Sequence, residues 1–544
     1  MKMVAALEVN PGSNAFGVPS KALEDLAGES VLSRVLRRVL RVEGIEGVAI
    51  VTSAEHAERV RGAGIPDGVK VIAAELNDIP KRDALRRARK WAPTCWRGGV
   101  RNASYFDEQG SPFNLMKVAE ETGADSVLWV PEAGPLFDPE IASGMVKQHE
   151  KQIEVFHFTF SQAPPGLAGA VYHRDFLVQA IQVGGSPGDA FEFKPEKPQR
   201  DLVEFVCHYE LPEAVRFGPF RFTADGRWGL EMLREFWRSV PGAEEASAAD
   251  AVRAMWEHPE LRAGRFPKEV EIEVTNRCKM QCSFCPRSSR RAEERDMDFG
   301  LYRKIVKELG EYDDVRLTLS GLGEPLLHPE LPGMVREAKE GGVLGVHVET
   351  NGLLMEGDLL DELVDADPDV ISVSLDANTP KTYGSLKGAD HFARVSGNIE
   401  RLIEQVKGKP EGGPIVCVSM VKLAENESEV EGFYDRWQSL GCWVVIRGYN
   451  DYAGQIPQRS PLPMALAERI PCRKLDDEMT ITADGRVVCC SQDYKCREVV
   501  GDLTTGHVSE IWNSDKMWGL RRAQQARDYS VFPLCERCVD WYYV

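Results

Sequence analysis

The stretch Glu271-Ile-Glu-Val-Thr-Asn-Arg-Cys278-Lys-Met-Gln-Cys282-Ser-Phe-Cys285 constrains this chain more than any other. Its alternating apolar residues predict a β-strand, and three cysteines at i, i+4 and i+7 follow directly. Thiolates are soft ligands suited to iron–sulfur clusters and zinc. Three of them on a four-iron cluster leave one iron without a protein ligand. An open metal position is where chemistry happens, by the logic that separates catalytic from structural zinc sites. A zinc knuckle is the plainer alternative, and it would want a fourth ligand.

The other cysteines support a metal role. Of 13 in the chain, only Cys95 and Cys207 precede Cys278. An odd count without an export signal argues against a disulfide framework. A length of 544 residues implies about three domains, and 43% apolar with 8% aromatic residues suits a globular chain. No long apolar stretch appears, and the start turns polar before a signal-peptide core forms, so a cytoplasmic protein without a membrane partner is expected. A net charge of −19 argues against nucleic-acid binding, which needs basic patches.

Residues 1–200 read as an α/β domain with short apolar strands at Met3–Val9, Val48–Thr52, Val69–Ala73 and Asp125–Val130. Alternating strands and helices imply a mostly parallel sheet with ligands at strand carboxyl ends. The loop carrying Gly12 and Ser13, followed by Lys21 and a helix from Val31, is a possible nucleotide loop. This opening resembles nucleotidyltransferases, especially cytidylyltransferases, and Val130-Pro-Glu132-Ala-Gly resembles their metal-site strand end. Two departures stand out: Ala15 replaces an arginine, and Glu132 replaces the usual metal-binding aspartate. The resemblance therefore implies a Rossmann-like but degenerate domain that binds a nucleotide, a sugar nucleotide or nothing. Residues 201–266, with Pro195-Glu-Lys-Pro198 just before them, read as a helical connector.

Residues 267–455 alternate strands and helices in about six units. Their order, with the three-cysteine loop after the first strand, resembles the partial (β/α)6 TIM barrel of radical S-adenosylmethionine (SAM) enzymes. The resemblance implies a [4Fe–4S] cluster on the catalytic Cys278, Cys282 and Cys285, SAM bound at the open iron, and a 5′-deoxyadenosyl radical. It also implies cofactor contacts from Phe284, Gly321, Gly323, Glu324, Asn351, Ser374, Asp376 and Arg447 at strand ends. Helix capping and surface ion pairing are the plainer roles for Ser374, Asp376 and Arg447. Cys417 and Cys442, on or beside the last two strands, are candidate hydrogen donors or core thiols.

Residues 456–544 hold a β-hairpin with an Asp484-Gly485 turn and a closing Cys535-x2-Cys538 pair. Cys472, Cys490, Cys535 and Cys538 supply four thiolates, enough for a four-iron cluster or for zinc. Cys489 competes with Cys490 because strand neighbours face opposite ways, and Cys496 is a spare. This segment resembles the SPASM/twitch extension of radical SAM enzymes, which implies an auxiliary [4Fe–4S] cluster. The combined expectation is an oxidoreductase acting on a (nucleotide-linked) carbohydrate by oxidation or epimerisation. Its electron donor would be flavodoxin- or ferredoxin-like. A peptide-modifying maturase and an active nucleotidyltransferase with structural metal domains are the alternatives.

Overall fold

A computed structural model describes residues 1–192, 200–290, 292–409, 412–462 and 468–542. It falls into two compact units, Met1–Leu261 and Arg262–Val544. Pro195-Glu-Lys-Pro198 lies outside the described residues, and residues 201–261, read above as most of a connector, cluster with the first unit.

The first unit is built on a seven-stranded sheet. Its strands are β1 (Met3–Glu8), β2 (Val48–Thr52), β3 (Val69–Ala73), β4 (Ser126–Trp129), β5 (Phe158–Ser161), β6 (Ala170–His173) and β7 (His208–Tyr209). Their order is β3-β2-β1-β4-β6-β5-β7. β1 to β4 pair in parallel, and the apolar run from Met3 to Leu7 is buried on both faces, as a central parallel strand requires. The sheet is mixed rather than mostly parallel, because β6 runs antiparallel to both β4 and β5. β5 and β6 are joined by a loop through Pro164-Pro165-Gly166, too short for the crossover that a parallel pair needs.

The second unit carries one nine-stranded sheet. Its strands are β8 (Glu269–Glu273), β9 (Arg316–Ser320), β10 (Gly345–Thr350), β11 (Val370–Ser374), β12 (Ile415–Val421), β13 (Trp443–Arg447), β14 (Glu478–Ile481), β15 (Arg486–Val488) and β16 (Val499–Asp502). β8 to β13 are parallel neighbours in chain order, forming the partial barrel. Helices such as Phe299–Leu309, Leu331–Glu340 and Phe392–Lys407 follow the strands. One strand face is apolar and buried: Val270, Ile272, Leu317, Leu319, Val346, Val348, Ile371 and Val373.

The opposite, inner face is polar. In register across it run Glu271, Thr318 and His347, then Glu349, Ser372 and Cys417. Barrels of this kind usually fill their interior with branched apolar side chains, and this interior departs from that pattern. The C-terminal hairpin is not a detached module. β14 pairs in parallel with β8, placing Thr480 opposite Glu271, while β15 and β16 continue antiparallel. Gly485 makes the β14–β15 turn at φ +84°, a conformation that favours glycine.

Candidate active site

The three-cysteine loop leaves the carboxyl end of β8 and is braced before the first cysteine. The Arg277 carbonyl accepts from the Glu324 N–H at 2.7 Å. The Arg277 guanidinium grips both Asp296 oxygens, at 2.9 and 2.6 Å, and donates to the Leu327 carbonyl at 2.8 Å. Gly323 lies so close that a Cβ there would sit 1.8 Å from the Thr275 carbonyl oxygen. Cys278, Cys282 and Cys285 are partly buried. Burial pushes all three thiols up, Cys282 to about 11. At such thiols a bound metal would take the proton's place.

The strand ends surround this loop. After β9, Gly321 adopts φ +105° against the Glu273 side chain. Glu324 was expected to reach SAM, but its carboxylate is spent inside the protein. It accepts from the Thr350 hydroxyl (2.6 Å), the Asn351 N–H (2.8 Å) and the Leu326 N–H (3.1 Å). Glu324 thereby locks the ends of β9 and β10 together, and Asn351 directs its side-chain amide to the Cys278 sulfur at 3.9 Å.

Asp376, after β11, was expected at a SAM hydroxyl or carboxylate. It is buried at φ +62° instead. Lys387 is its salt-bridge partner, and it accepts from the Val421 N–H at 2.7 Å. The same ammonium donates to the Ser374 carbonyl at 2.9 Å and lies 5.5 Å from the centre of the Phe284 ring. Ser374 keeps a hydroxyl on the inner face, 3.5 Å from that of Ser419. Arg447 was also a SAM candidate; its guanidinium pairs with Glu349 at 2.6 Å. Burial pushes Glu349 up, but Arg447, His347 and the Ser320 hydroxyl overcome it and hold the carboxyl at about 2.

The four C-terminal cysteines named from sequence converge. Cys472, Cys490, Cys535 and Cys538 line one cavity, with Arg469, Lys474, Gln492 and Asp540 beside them. Cys489 is buried and does not line it, its sulfur 4.0 Å from that of Cys490. Cys496 lies elsewhere, near Arg290 and Arg486. Among the described residues, only His157, His173 and Asp175 bring three ligand atoms all within 4.8 Å. Thiolates sharing one zinc sit within about 4 Å of each other. Neither cysteine set has closed to a zinc-sized centre, and both suit a larger cluster.

In the first unit, Ser13, Asn14 and Ala15 line a strand-end pocket with Glu8, Asp78, Arg82, Arg86, Glu108 and Glu132. Gly12 and Lys21 are not among its lining residues. Gly12 instead donates its N–H to the Asn10 side chain at 3.0 Å. Arg82 and Arg86 both pair with Asp78. Burial, with Asp225 and Glu8 nearby, pushes Glu132 up to about 8.

The Radical SAM superfamily model matches residues 272–436, and the SPASM iron–sulfur cluster-binding domain matches residues 472–539. The central domain is that of a radical SAM enzyme. Its cofactors are a [4Fe–4S] cluster with SAM and an auxiliary iron–sulfur cluster in the SPASM segment. An uncharacterized protein of Treponema pallidum is 27% identical over 252 residues, 44% of this chain and 68% of its own length. A tungsten-containing aldehyde ferredoxin oxidoreductase cofactor-modifying protein of Pyrococcus furiosus is 30% identical over 183 residues, 33% of this chain and 50% of that one. Beyond the first of these, the chain spans about half the length of the curated relatives it matches. A solved cytidylyltransferase of Leptospira borgpetersenii aligns at a TM-score of 0.34 and 16% identity, covering 48% of this chain and 95% of that one. A likeness that loose carries no argument.

Sequence patterns located the cysteines because ligand spacing is local. They missed Lys387, Glu349 and Lys474, whose partners lie on other elements, and Glu271, which looks like any polar position on an alternating strand.

Proposed function

We propose that this protein is an oxidoreductase that takes a hydrogen atom from a nucleotide-linked carbohydrate and oxidises it. The observation that carries this reading is the cavity lined by Cys472, Cys490, Cys535 and Cys538. Four thiolates satisfy a four-iron cluster completely and leave no iron for a substrate, so the auxiliary site suits electron transfer. Removal of an electron after hydrogen abstraction is a net oxidation.

When bound at Cys278, Cys282 and Cys285, the cluster and SAM supply the 5′-deoxyadenosyl radical that abstracts the hydrogen. The chain's own residues do the rest. Arg277, Gly323 and Glu324 fix the loop, while Asp376 and Lys387 hold Phe284 and the β11 end in place. Thr318 and Ser374, half-buried on the inner face, present hydroxyl groups that a sugar's hydroxyls can pair with. Epimerisation would need a thiol at the substrate radical. Cys417 is fully buried and Cys442 nearly so, which favours oxidation. The reductant for the first cluster would be a flavodoxin or ferredoxin.

The test is 5′-deoxyadenosine formation by anaerobically reconstituted, reduced protein, with and without a pool of nucleotide sugars. Strong stimulation by one sugar with formation of a carbonyl product is expected. Cys282→Ala should abolish cleavage while the C-terminal cluster keeps its iron. Cleavage indifferent to every sugar would overturn the carbohydrate reading and point to a peptide substrate.

A further inference from the structure

The inner face of the second unit's sheet presents five glutamates: Glu269, Glu271, Glu273, Glu349 and Glu478. Four have cationic partners. Glu269 pairs with Arg316, Glu273 with Arg290 at 2.7 Å, Glu349 with Arg447 at 2.6 Å and Glu478 with Lys474 at 4.0 Å. Glu271 differs: its side chain makes no hydrogen bond or ion pair among the described residues. It is half-buried, in the middle of the strand that delivers the three-cysteine loop. Thr318 and Thr480 flank it in register, and His347 follows in the same row.

A half-buried carboxylate without a partner is less well solvated than a free one. Charged and titratable groups face it from every neighbouring element: Glu349 on β10, Glu478 on β14, Lys474 before β14, Glu273 on its own strand, and Tyr452 after β13. Burial first, then Glu349 and Glu478, push Glu271 up to about 7. Lys474 opposes this shift; its ammonium lies 2.8 Å from Asp540 and 4.0 Å from Glu478. An unpartnered acid between two threonines, poised near neutral pH, has the make-up of a proton acceptor.

We propose that Glu271 holds a hydroxyl group of the substrate inside the barrel and takes its proton as the adjoining carbon is oxidised. This rests on the reading that the enzyme oxidises a carbohydrate. The carbon-bound hydrogen leaves as an atom to the 5′-deoxyadenosyl carbon, and the hydroxyl proton passes to a Glu271 oxygen. The C–O single bond becomes C=O, and the remaining electron goes to a one-electron acceptor, the auxiliary iron–sulfur cluster. Glu271 then contacts the substrate, while the paired glutamates around it shape the space.

Two measurements test this. In the first, cluster-loaded enzyme is treated with a carbodiimide and glycine ethyl ester at neutral pH, and the adducts are mapped by mass spectrometry. Carbodiimides attack accessible protonated carboxyls, so Glu271 should react before Glu273 and Glu349, and the stimulating sugar should protect it. Labelling no faster than at Glu273 and Glu349, or no protection, would overturn the proposal.

In the second, Glu271→Gln is compared with Glu271→Asp at wild-type iron content, using substrate deuterated at the reacting carbon. Glu271→Gln should still pass deuterium into 5′-deoxyadenosine while carbonyl product falls about 100-fold or more. Glu271→Asp should recover part of the product, and the wild-type rate limb near neutral pH should vanish in Glu271→Gln. Product at wild-type level, or equal loss of deoxyadenosine and product, would overturn the proposal. If no sugar stimulates the wild type, the carbohydrate reading fails by itself. Labelling without ligand then decides Glu271 separately: reaction there supports an open base, and no reaction overturns it.

Discussion

A single unpaired glutamate leaves a signature in stability as well as in chemistry. Glu271 and Glu478 are both raised, chiefly by burial, to about 7, against an ordinary glutamate value near 4.3. Between those values the folded chain holds more protons than the unfolded one, so stability falls as pH rises. The full stability is present below the unfolded value, and the loss is complete above about pH 7. Glu271→Gln should therefore stabilise the second unit at pH 8 by about 1–2 kcal/mol and leave it unchanged at pH 4. Hydrogen exchange of the β8 amides at the two pH values reads this directly, and a gain at pH 4 equal to that at pH 8 would refute the cause. Glu349 behaves oppositely. With Arg447 beside it, its carboxyl stays ionised through this range.

At the scale of elements, the loop after β8 works because the turn after β9 lies against it. Gly323→Ala would place a methyl 1.8 Å from the Thr275 oxygen and 2.6 Å from its carbonyl carbon, backbone that cannot swing aside. The strand end must move, and Cys278 lies three residues further on. We expect this variant to lose about tenfold in SAM cleavage and part of the first cluster's iron. Gly333→Ala, whose nearest neighbour would be the Phe299 ring at 3.9 Å, should keep both, as iron analysis and 5′-deoxyadenosine assay would show.

The sequence pattern already carried β8 to β13, their helices and the Asp484-Gly485 turn, because period-2 runs and turn residues are local signals. It did not carry the β14–β8 pairing, which joins residues some 200 positions apart and leaves no local trace. It missed β5 to β7 as well, short strands placed by a sheet already formed. The strand-end residues were found by position, but not their use. Glu324, Asp376 and Arg447 have partners that only the folded chain brings within reach.

At the scale of the whole molecule, the proposed assignment divides seven cysteines between two centres with separable tasks. The division predicts two kinds of failure. Cys535→Ser should remove the auxiliary cluster's iron, leave reductive SAM cleavage largely intact, and stop the net oxidation, because the substrate radical keeps its electron. Cys489→Ser is the matching control. Its neighbour Cys490 lines the cavity and Cys489 does not, so both clusters and turnover should persist. Iron and sulfide analysis, with electron paramagnetic resonance of the reduced protein, separates the cases. Equal iron loss in the two variants would mean that Cys489 is a ligand and the cavity assignment is wrong. Full product formation by Cys535→Ser without its cluster would mean that the electron leaves by another route, and the auxiliary centre would then be structural.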